Sequence, residues 1–382
     1  MKNVKKRILS AFLGGLCLLG SFSLLSCNFG GLSGEDAMDS EQGQTEETTA
    51  AFSFENRTLS TAACADRLKL IGRSAVIEEG VSADWSASGI EFNAKCRGEI
   101  KAEISSTNDS LFAVFVNGEK TREIAVAKGT RVYTLAEDLA EGEYYVRLLK
   151  QRAPYYLKEG LLNSINTINL NGDLLEPPAD KEHYIEFIGD SIISGGGARW
   201  MESEGRYNTL PHALDAFSFL TAEKLGCDFS MVCTPGLSTC MTNLHVQMFY
   251  EFASPYRFPE VRYEPTRAAD LVVIHLNAND VKAIPAQEYF FKDAVKELIR
   301  DVRKYHGDDV NIIWVYGVMI DVELCDKWTK EVFASMGGEE KHLYQLSVTP
   351  NRDGGNEHPS GEAHIAVSEI LTKFIQEKNL LQ

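Results

Sequence analysis

Past residue 55 the apolar spacing of the chain has two textures. Between about residues 66 and 152, short β-type runs alternate with turn residues: Ser74 to Ile77, Gly89 to Asn93, Gly98 to Ile104, Leu111 to Val116, Arg131 to Leu135 and Tyr144 to Leu149. Several step between apolar and polar with a period of two, as in Phe112-Ala113-Val114-Phe115-Val116-Asn117-Gly118, the spacing that buries one face of a strand. Short strands broken at Gly118, Gly129 and Gly142, without long helical stretches, predict a small β-sandwich over residues 56–160.

From about residue 181 the period changes. The apolar run Tyr184 to Ile188 stops at a glycine, and helical spacing follows over about 212–225. Further strands end at Val232 and span Leu271 to Leu276 and Ile312 to Tyr316, with helices over about 288–305 and 360–376. Near-continuous apolar strands alternating with helices predict an α/β domain over residues 161–382, a parallel sheet with helices on both faces. Such sheets place their sites beyond the carboxyl ends of strands, so the reactive groups are expected there.

The first 55 residues fit neither texture. A basic MKNVKKR is followed by the apolar ILSAFLGGLCLLGSFSLL and then Leu24-Leu25-Ser26-Cys27, with a small residue before the cysteine and a polar Asn28 after it. Residues 1–26 read as an export signal, and residues 27–55, acidic and rich in Gly, Ser and Thr, as a flexible tether that cannot bury enough surface to order itself. The Leu-Leu-Ser-Cys run resembles the lipobox of bacterial lipoproteins, which implies a lipid on Cys27, attachment to the membrane through it, and a place in the bacterial cell envelope.

The formal charge of the whole chain is −17; losing Lys2, Lys5, Lys6 and Arg7 with the signal would leave −21. Such a surface repels nucleic acid, which is excluded as a partner, and suits a neutral substrate. Six of the eight cysteines lie outside the signal and its Cys27; export permits disulfides, but no CxxC occurs and no His/Cys cluster has zinc-ligand spacing, so no metal or other cofactor is expected.

Three strand ends carry reactive groups. After Ile188-Gly189-Asp190 stands Ser191, a hydroxyl that a base can activate for attack on an acyl carbonyl; a helix cap is its plainer reading. After the second strand comes Cys233-Thr234-Pro235-Gly236, where a glycine lets a backbone N–H approach a substrate oxygen, or simply makes a turn. After the third comes Asn277-Ala278-Asn279-Asp280, where an amide could meet a developing oxyanion, a donor worth ~3 kcal/mol of barrier. Ahead of the last helix, His358 sits beside Pro359 and could serve as general base for Ser191. Trp200, in the loop after Ser191, is the aromatic best placed to stack on a sugar, whereas Trp314, in a strand, reads as core.

The order GDS, Gly, N-x-N-D and a late His-Pro resembles the SGNH, or GDSL-type, hydrolase superfamily, with its flavodoxin-like fold. The resemblance implies Ser191 as nucleophile, Ser191, Gly236 and Asn279 as the oxyanion hole, and His358 as base. Upstream, Ile71-Gly72-Arg73, residues 82–92 (SADWSASGIEF), Val116-Asn117-Gly118-Glu119 and Val146 to Lys150 resemble the N-terminal jelly-roll sandwich of carbohydrate esterase family 2, as does IEFIGDS at 185–191. That family implies removal of O-acetyl groups from xylan- or glucomannan-type polysaccharides, often at the 6-position, with an acetylated polysaccharide or oligosaccharide as partner and no metal.

Two positions depart from the superfamily pattern. Asn277 replaces the glycine of GxND, which is expected to crowd the oxyanion hole. Gly355 stands where the acid of DxxH would be, so a Ser–His dyad oriented by a backbone carbonyl is expected, with Asp353 or Glu357 as the alternative orienter. A glycan-binding lipoprotein with a degenerate site and an SGNH lipase or thioesterase are the competing readings; the absence of a long apolar lid segment and the presence of the sandwich count against the latter.

Overall fold

The computed structural model describes residues 52–154, 160–199, 210–252, 254, 256–257 and 262–381; these form one compact unit. The export signal, Cys27 and nearly all of the tether lie outside the described residues.

The N-terminal part is a nine-stranded antiparallel sheet: β1 Asn56–Ser60, β2 Lys69–Ile71, β3 Val76–Ile77, β4 Gly80–Ser82, β5 Gly89–Ser106, β6 Ser110–Val116, β7 Glu119–Val126, β8 Gly129–Lys150 and β9 Asn163–Leu174. The order is β3-β4-β9-β5-β8-β6-β7, with β1 on β9 and β2 on β5. Two pairs of expected short strands prove to be single long ones. Gly98, at φ 78°, takes a bulge inside β5 rather than a turn, and the pairing of β5 with β8 shifts register there. Gly142 likewise lies within β8. The sheet also extends beyond residue 160, because β9 pairs with β5 and closes over the same core of Ile90, Phe92, Ile104, Phe112 and Ile168.

The α/β part is a five-stranded parallel sheet of β10 Tyr184–Gly189, β11 Asp228–Cys233, β12 Leu271–His275, β13 Asn311–Tyr316 and β14 Leu343–Ser347, in the order β11-β10-β12-β13-β14. Its longer helices are α1 Phe217–Leu225, α3 Glu288–His306, α4 Glu323–Ser335 and α5 Gly361–Glu377, with the single turn α2 Gln247–Tyr250 between α1 and α3. Successive side chains of a strand point to opposite faces, and the core divides accordingly. Ile185 and Phe187 of β10 join the cluster under α1 and α5, whereas Tyr184 and Ile188 join the cluster under α3 and α4. In α3, Phe291, Val295, Leu298, Ile299 and Val302 recur at three- and four-residue steps and make the buried stripe. Helix α1 ends at Gly226 in the left-handed region (φ 65°), and Ser360 caps α5 by accepting from the Ala363 N–H at 3.2 Å.

The sandwich and the α/β layers share their cores. Ile71, Ala113, Phe115 and Leu149 pack into the cluster under α1, and Trp85 into the one under α3. A fully buried ion pair crosses the seam: Arg73 Nη2 lies 3.0 Å from Glu186 Oε1 in the middle of β10, and the Arg73 guanidinium stacks over the rings of Tyr250 and Tyr263. Burial pushes Glu186 up, but Arg73 and His306 outweigh it and hold the carboxyl well below the usual carboxylate range. All six cysteines among the described residues are free thiols.

Candidate active site

The sheet order reverses direction at β10: its first crossover leads to β11 on one side, and the chain then returns to β12 on the other. The crevice of a doubly wound sheet opens beyond such a switch point. Ser191 follows β10, Gly236 follows β11 and Asn279 follows β12, so one geometrical feature gathers all three.

His358 comes to Ser191 from the turn before α5. Its Nε2 lies 2.9 Å from Ser191 Oγ, and its Nδ1 lies 3.1 Å from the carbonyl oxygen of Asn356. A carbonyl only accepts, so Nδ1 carries the proton and Nε2 offers its lone pair to the serine hydroxyl. That carbonyl is turned inward by two consecutive non-glycine residues at positive φ, Asn356 at 50° and Glu357 at 60°. Left-handed backbone costs an L-residue about 1–2 kcal/mol, tolerated more readily by Asn, and such outliers cluster at working sites.

Neither carboxylate considered as an orienter takes this place. Asp353 accepts from the Asn351 amide at 2.7 Å, and Glu357 pairs with Arg352. The turn that carries His358 is docked on the turn after Ser191: the Gly355 N–H donates to the Gly197 carbonyl at 3.1 Å. A Cβ on Gly197 would sit 2.8 Å from the His358 Cβ and 2.6 Å from the Gly355 oxygen, so only glycine permits the approach.

Asp190 is fully buried behind Ser191. Its Oδ1 accepts from the Ile192 N–H at 2.9 Å and its Oδ2 from Asn279 Nδ2 at 3.1 Å, while His275 Nδ1 faces it at 3.8 Å. Asn279 Nδ2 also donates to the Leu237 carbonyl at 2.9 Å, so the amide is held against both Asp190 and the Gly236 turn. Gly236 stands at φ 83°, and among the described residues no acceptor takes its N–H or that of Ser191. Asp280 fixes the rest of this turn by accepting from the N–H groups of Thr239, Cys240 and Met241 at 3.0, 3.3 and 2.9 Å.

Asn277 does not crowd the space beside Ser191, Gly236 and Asn279 in the way the sequence led one to expect. Its φ of 87° is the backbone that would favour glycine, and its side chain turns away into the protein. There it donates to Asp326 Oδ1 at 3.0 Å and accepts from Thr239 Oγ1 at 3.2 Å. His275 and His364 are buried in the core. His275 ends β12, buried, with Nε2 3.4 Å from the Gly317 carbonyl. His364 accepts from the Phe217 N–H at 3.2 Å and stacks on that ring; burial, aided by His275 and His358, pushes it down to about 3.

Trp200 lies outside the described residues, and Trp314, Trp328, Phe249 and Tyr250 are core. Tyr289 and Phe290, 72% and 67% exposed and packed edge to face, open α3, the helix that follows the Asn279 turn. The amphipathic pattern of α3 marks both as solvent-facing, but only the strand order shows that this helix begins at the site end of the sheet. Among the described residues no three His, Cys, Asp or Glu side chains gather as metal ligands.

Residues 70–178 match the family model described as carbohydrate esterase 2 N-terminal. The cellulase/esterase CelE of Acetivibrio thermocellus is 26% identical over 319 residues, 78% of this chain; the chain spans 38% of the length of that relative. Three solved structures share the fold. A family two carbohydrate esterase from Clostridium thermocellum, in complex with cellohexaose, is 24% identical with a TM-score of 0.71, covering 82% of this chain and 100% of its own. An acetyl xylan esterase from Butyrivibrio proteoclasticus is 16% identical with a TM-score of 0.74, covering 86% and 100%. A family two carbohydrate esterase from Cellvibrio japonicus is 16% identical with a TM-score of 0.76, covering 86% and 99%. The N-terminal domain thus matches the model of carbohydrate esterase family 2, and the described chain shares the fold of solved family two esterases.

Proposed function

We propose that the chain is a serine esterase that removes O-acetyl groups from polysaccharides of the xylan or glucomannan type. The observation that carries this reading is the 2.9 Å approach of Ser191 Oγ to His358 Nε2, beside two backbone N–H groups that no acceptor among the described residues takes.

Ser191 Oγ attacks the acetyl carbonyl while His358 Nε2 takes its proton. The Ser191 and Gly236 N–H groups receive the oxyanion, and Asn279 joins them by turning one N–H from the Leu237 carbonyl. Collapse returns the proton from His358 to the departing sugar oxygen. Water, deprotonated by the same imidazole, then releases acetate from the acetyl-serine. Developing charge met by preorganised donors is the largest single contribution expected here.

The esterase name of the Acetivibrio relative and the cellohexaose held by the Clostridium structure support a glycan substrate. Tyr289 and Phe290 offer planar faces for its rings in this reading. The intact serine–histidine contact favours catalysis over a degenerate, binding-only site. Attachment to the cell envelope through a lipid on Cys27 completes the proposal; incorporation of labelled palmitate that Cys27→Ala abolishes would support it, and undiminished incorporation would remove it. The activity is tested by hydrolysis of 4-nitrophenyl esters of increasing chain length. Preference for acetyl, lost in Ser191→Ala, is expected, whereas preference for long chains would replace the reading with a lipase or thioesterase.

A further inference from the structure

The two halves of the dyad come from segments far apart in sequence, and the turn Gly195–Ala198 touches both. The Gly196 N–H donates to the Ser191 carbonyl at 2.7 Å, and the Gly197 carbonyl accepts from the Gly355 N–H at 3.1 Å. Any shift of this turn therefore changes the separation of Ser191 from His358.

Arg199 ends the turn, and its guanidinium is held on three sides. Nη1 lies 2.7 Å from Oε1 and 2.8 Å from Oε2 of Glu123 on β7, Nε bonds Asp215, and Nη2 reaches Gln151 Oε1 at 3.3 Å. Glu123 and Gln151 belong to the sandwich; Asp215 lies just before α1. The planar fork of arginine is the group that can meet several acceptors at once without loss of order. Burial pushes Glu123 up, but the hydrogen bond and charge of Arg199 outweigh it and hold the carboxyl at about 2, so the bond keeps its charge at any working pH.

We propose that Arg199 is a positioning residue for the Ser191–His358 pair, and that the sandwich, through Glu123, holds the turn on which that pair is set. The inference rests on the esterase reading. It gives the sandwich a part in the chemistry without contact with substrate.

The test compares the whole protein with Arg199→Met, Arg199→Lys and Glu123→Gln on 4-nitrophenyl acetate, a small ester that asks little of the binding cleft. Arg199→Met is expected to lower kcat roughly 10- to 100-fold, the scale of a small misplacement at the reacting centre. KM should stay within about twofold, the mark of a loss confined to the transition state. Arg199→Lys recovers part of the rate, Glu123→Gln falls between, and labelling of Ser191 by an organophosphonate slows in parallel. Unchanged kcat and labelling in both Arg199→Met and Glu123→Gln overturn the inference, as does a loss that falls wholly on KM. Should Arg199→Met fail to fold, Glu123→Gln, which removes one charge from a part-exposed pair, decides alone. A wild type that neither hydrolyses the ester nor is labelled at Ser191 overturns the esterase reading and this inference with it.

Discussion

The carbonyl oxygen of Asn356 stands 3.1 Å from Nδ1 of His358, in the place where a carboxylate would complete a triad. A neutral dipole fixes the tautomer as well as an acid does, but in the proposed mechanism it would stabilise the imidazolium less once His358 had taken the serine proton. The carbonyl belongs to the backbone two residues away, so no side-chain substitution removes it, while any change in the turn's left-handed residues moves it.

Asp353→Asn and Glu357→Gln are accordingly expected to leave kcat within about threefold of wild type, because neither carboxylate touches the imidazole. Ser191→Ala and His358→Ala should each lower kcat by ~10,000-fold or more. Steady-state kinetics on 4-nitrophenyl acetate check this. A hundredfold loss in either carboxylate variant would show that an acid, not the carbonyl, orients the base.

Asn277 gives a second test, on stability. Asn277→Gly relieves a positive φ worth about 1 kcal/mol, yet leaves the buried Asp326 and Thr239 oxygens without their partner, at about 1–3 kcal/mol. Asn277→Ala suffers the second loss and keeps the strain. Both variants should unfold earlier in guanidinium, with alanine the less stable by about 1 kcal/mol. Equal stability of the two would mean that the backbone at this position carries no strain.

The buried pair between Arg73 and Glu186 predicts a larger effect. Arg73→Met leaves the Glu186 carboxylate in the core with His306 Nε2 at 3.1 Å as its remaining basic neighbour. Removing one partner of a buried pair typically costs about 3–5 kcal/mol. Glu186→Gln combined with Arg73→Met should recover much of that loss, since no uncompensated charge remains. Guanidinium denaturation of the three proteins measures both changes; a double variant no more stable than Arg73→Met would contradict the assignment.

The site was more legible in the sequence than the fold around it. Ser191, Gly236 and Asn279 follow strands whose apolar runs are plain, and a parallel sheet delivers strand ends to one crevice. β9 was not legible, because its run NSINTINLNGDL carries more amides than apolar groups. Nor was the continuity of β5 and β8, since a bulge glycine and a turn glycine look alike until a partner strand is known. The orienter of His358 was legible only through an absence: Gly355 in place of an acid pointed to a backbone carbonyl without saying which one. Arg199 and Glu123 were hidden for another reason: charged residues on a loop and a strand edge read as solvated until the fold sets them together.

Lys150 adds a pH dependence. Burial, opposed by Asp84, pushes it down to about 7, and its ammonium donates to the Asp84 and Leu161 carbonyls at 2.6 and 2.8 Å. Above pH 7 the unfolded chain still binds this proton while the folded protein has released it, so stability rises with pH. Between about pH 7 and 8.5, below the ordinary range of the buried thiols, guanidinium midpoints should climb, and Lys150→Met should flatten that climb. A midpoint that falls over this window in the wild type would contradict the account.

Acetate release from acetylated xylan and glucomannan, measured for the wild type and for Ser191→Ala side by side, tests the central claim most directly. The account predicts release by the wild type and none above background from a Ser191→Ala protein that unfolds at the same guanidinium concentration. Release by Ser191→Ala at the wild-type rate, or a wild type that frees no acetate from either polymer, would contradict it.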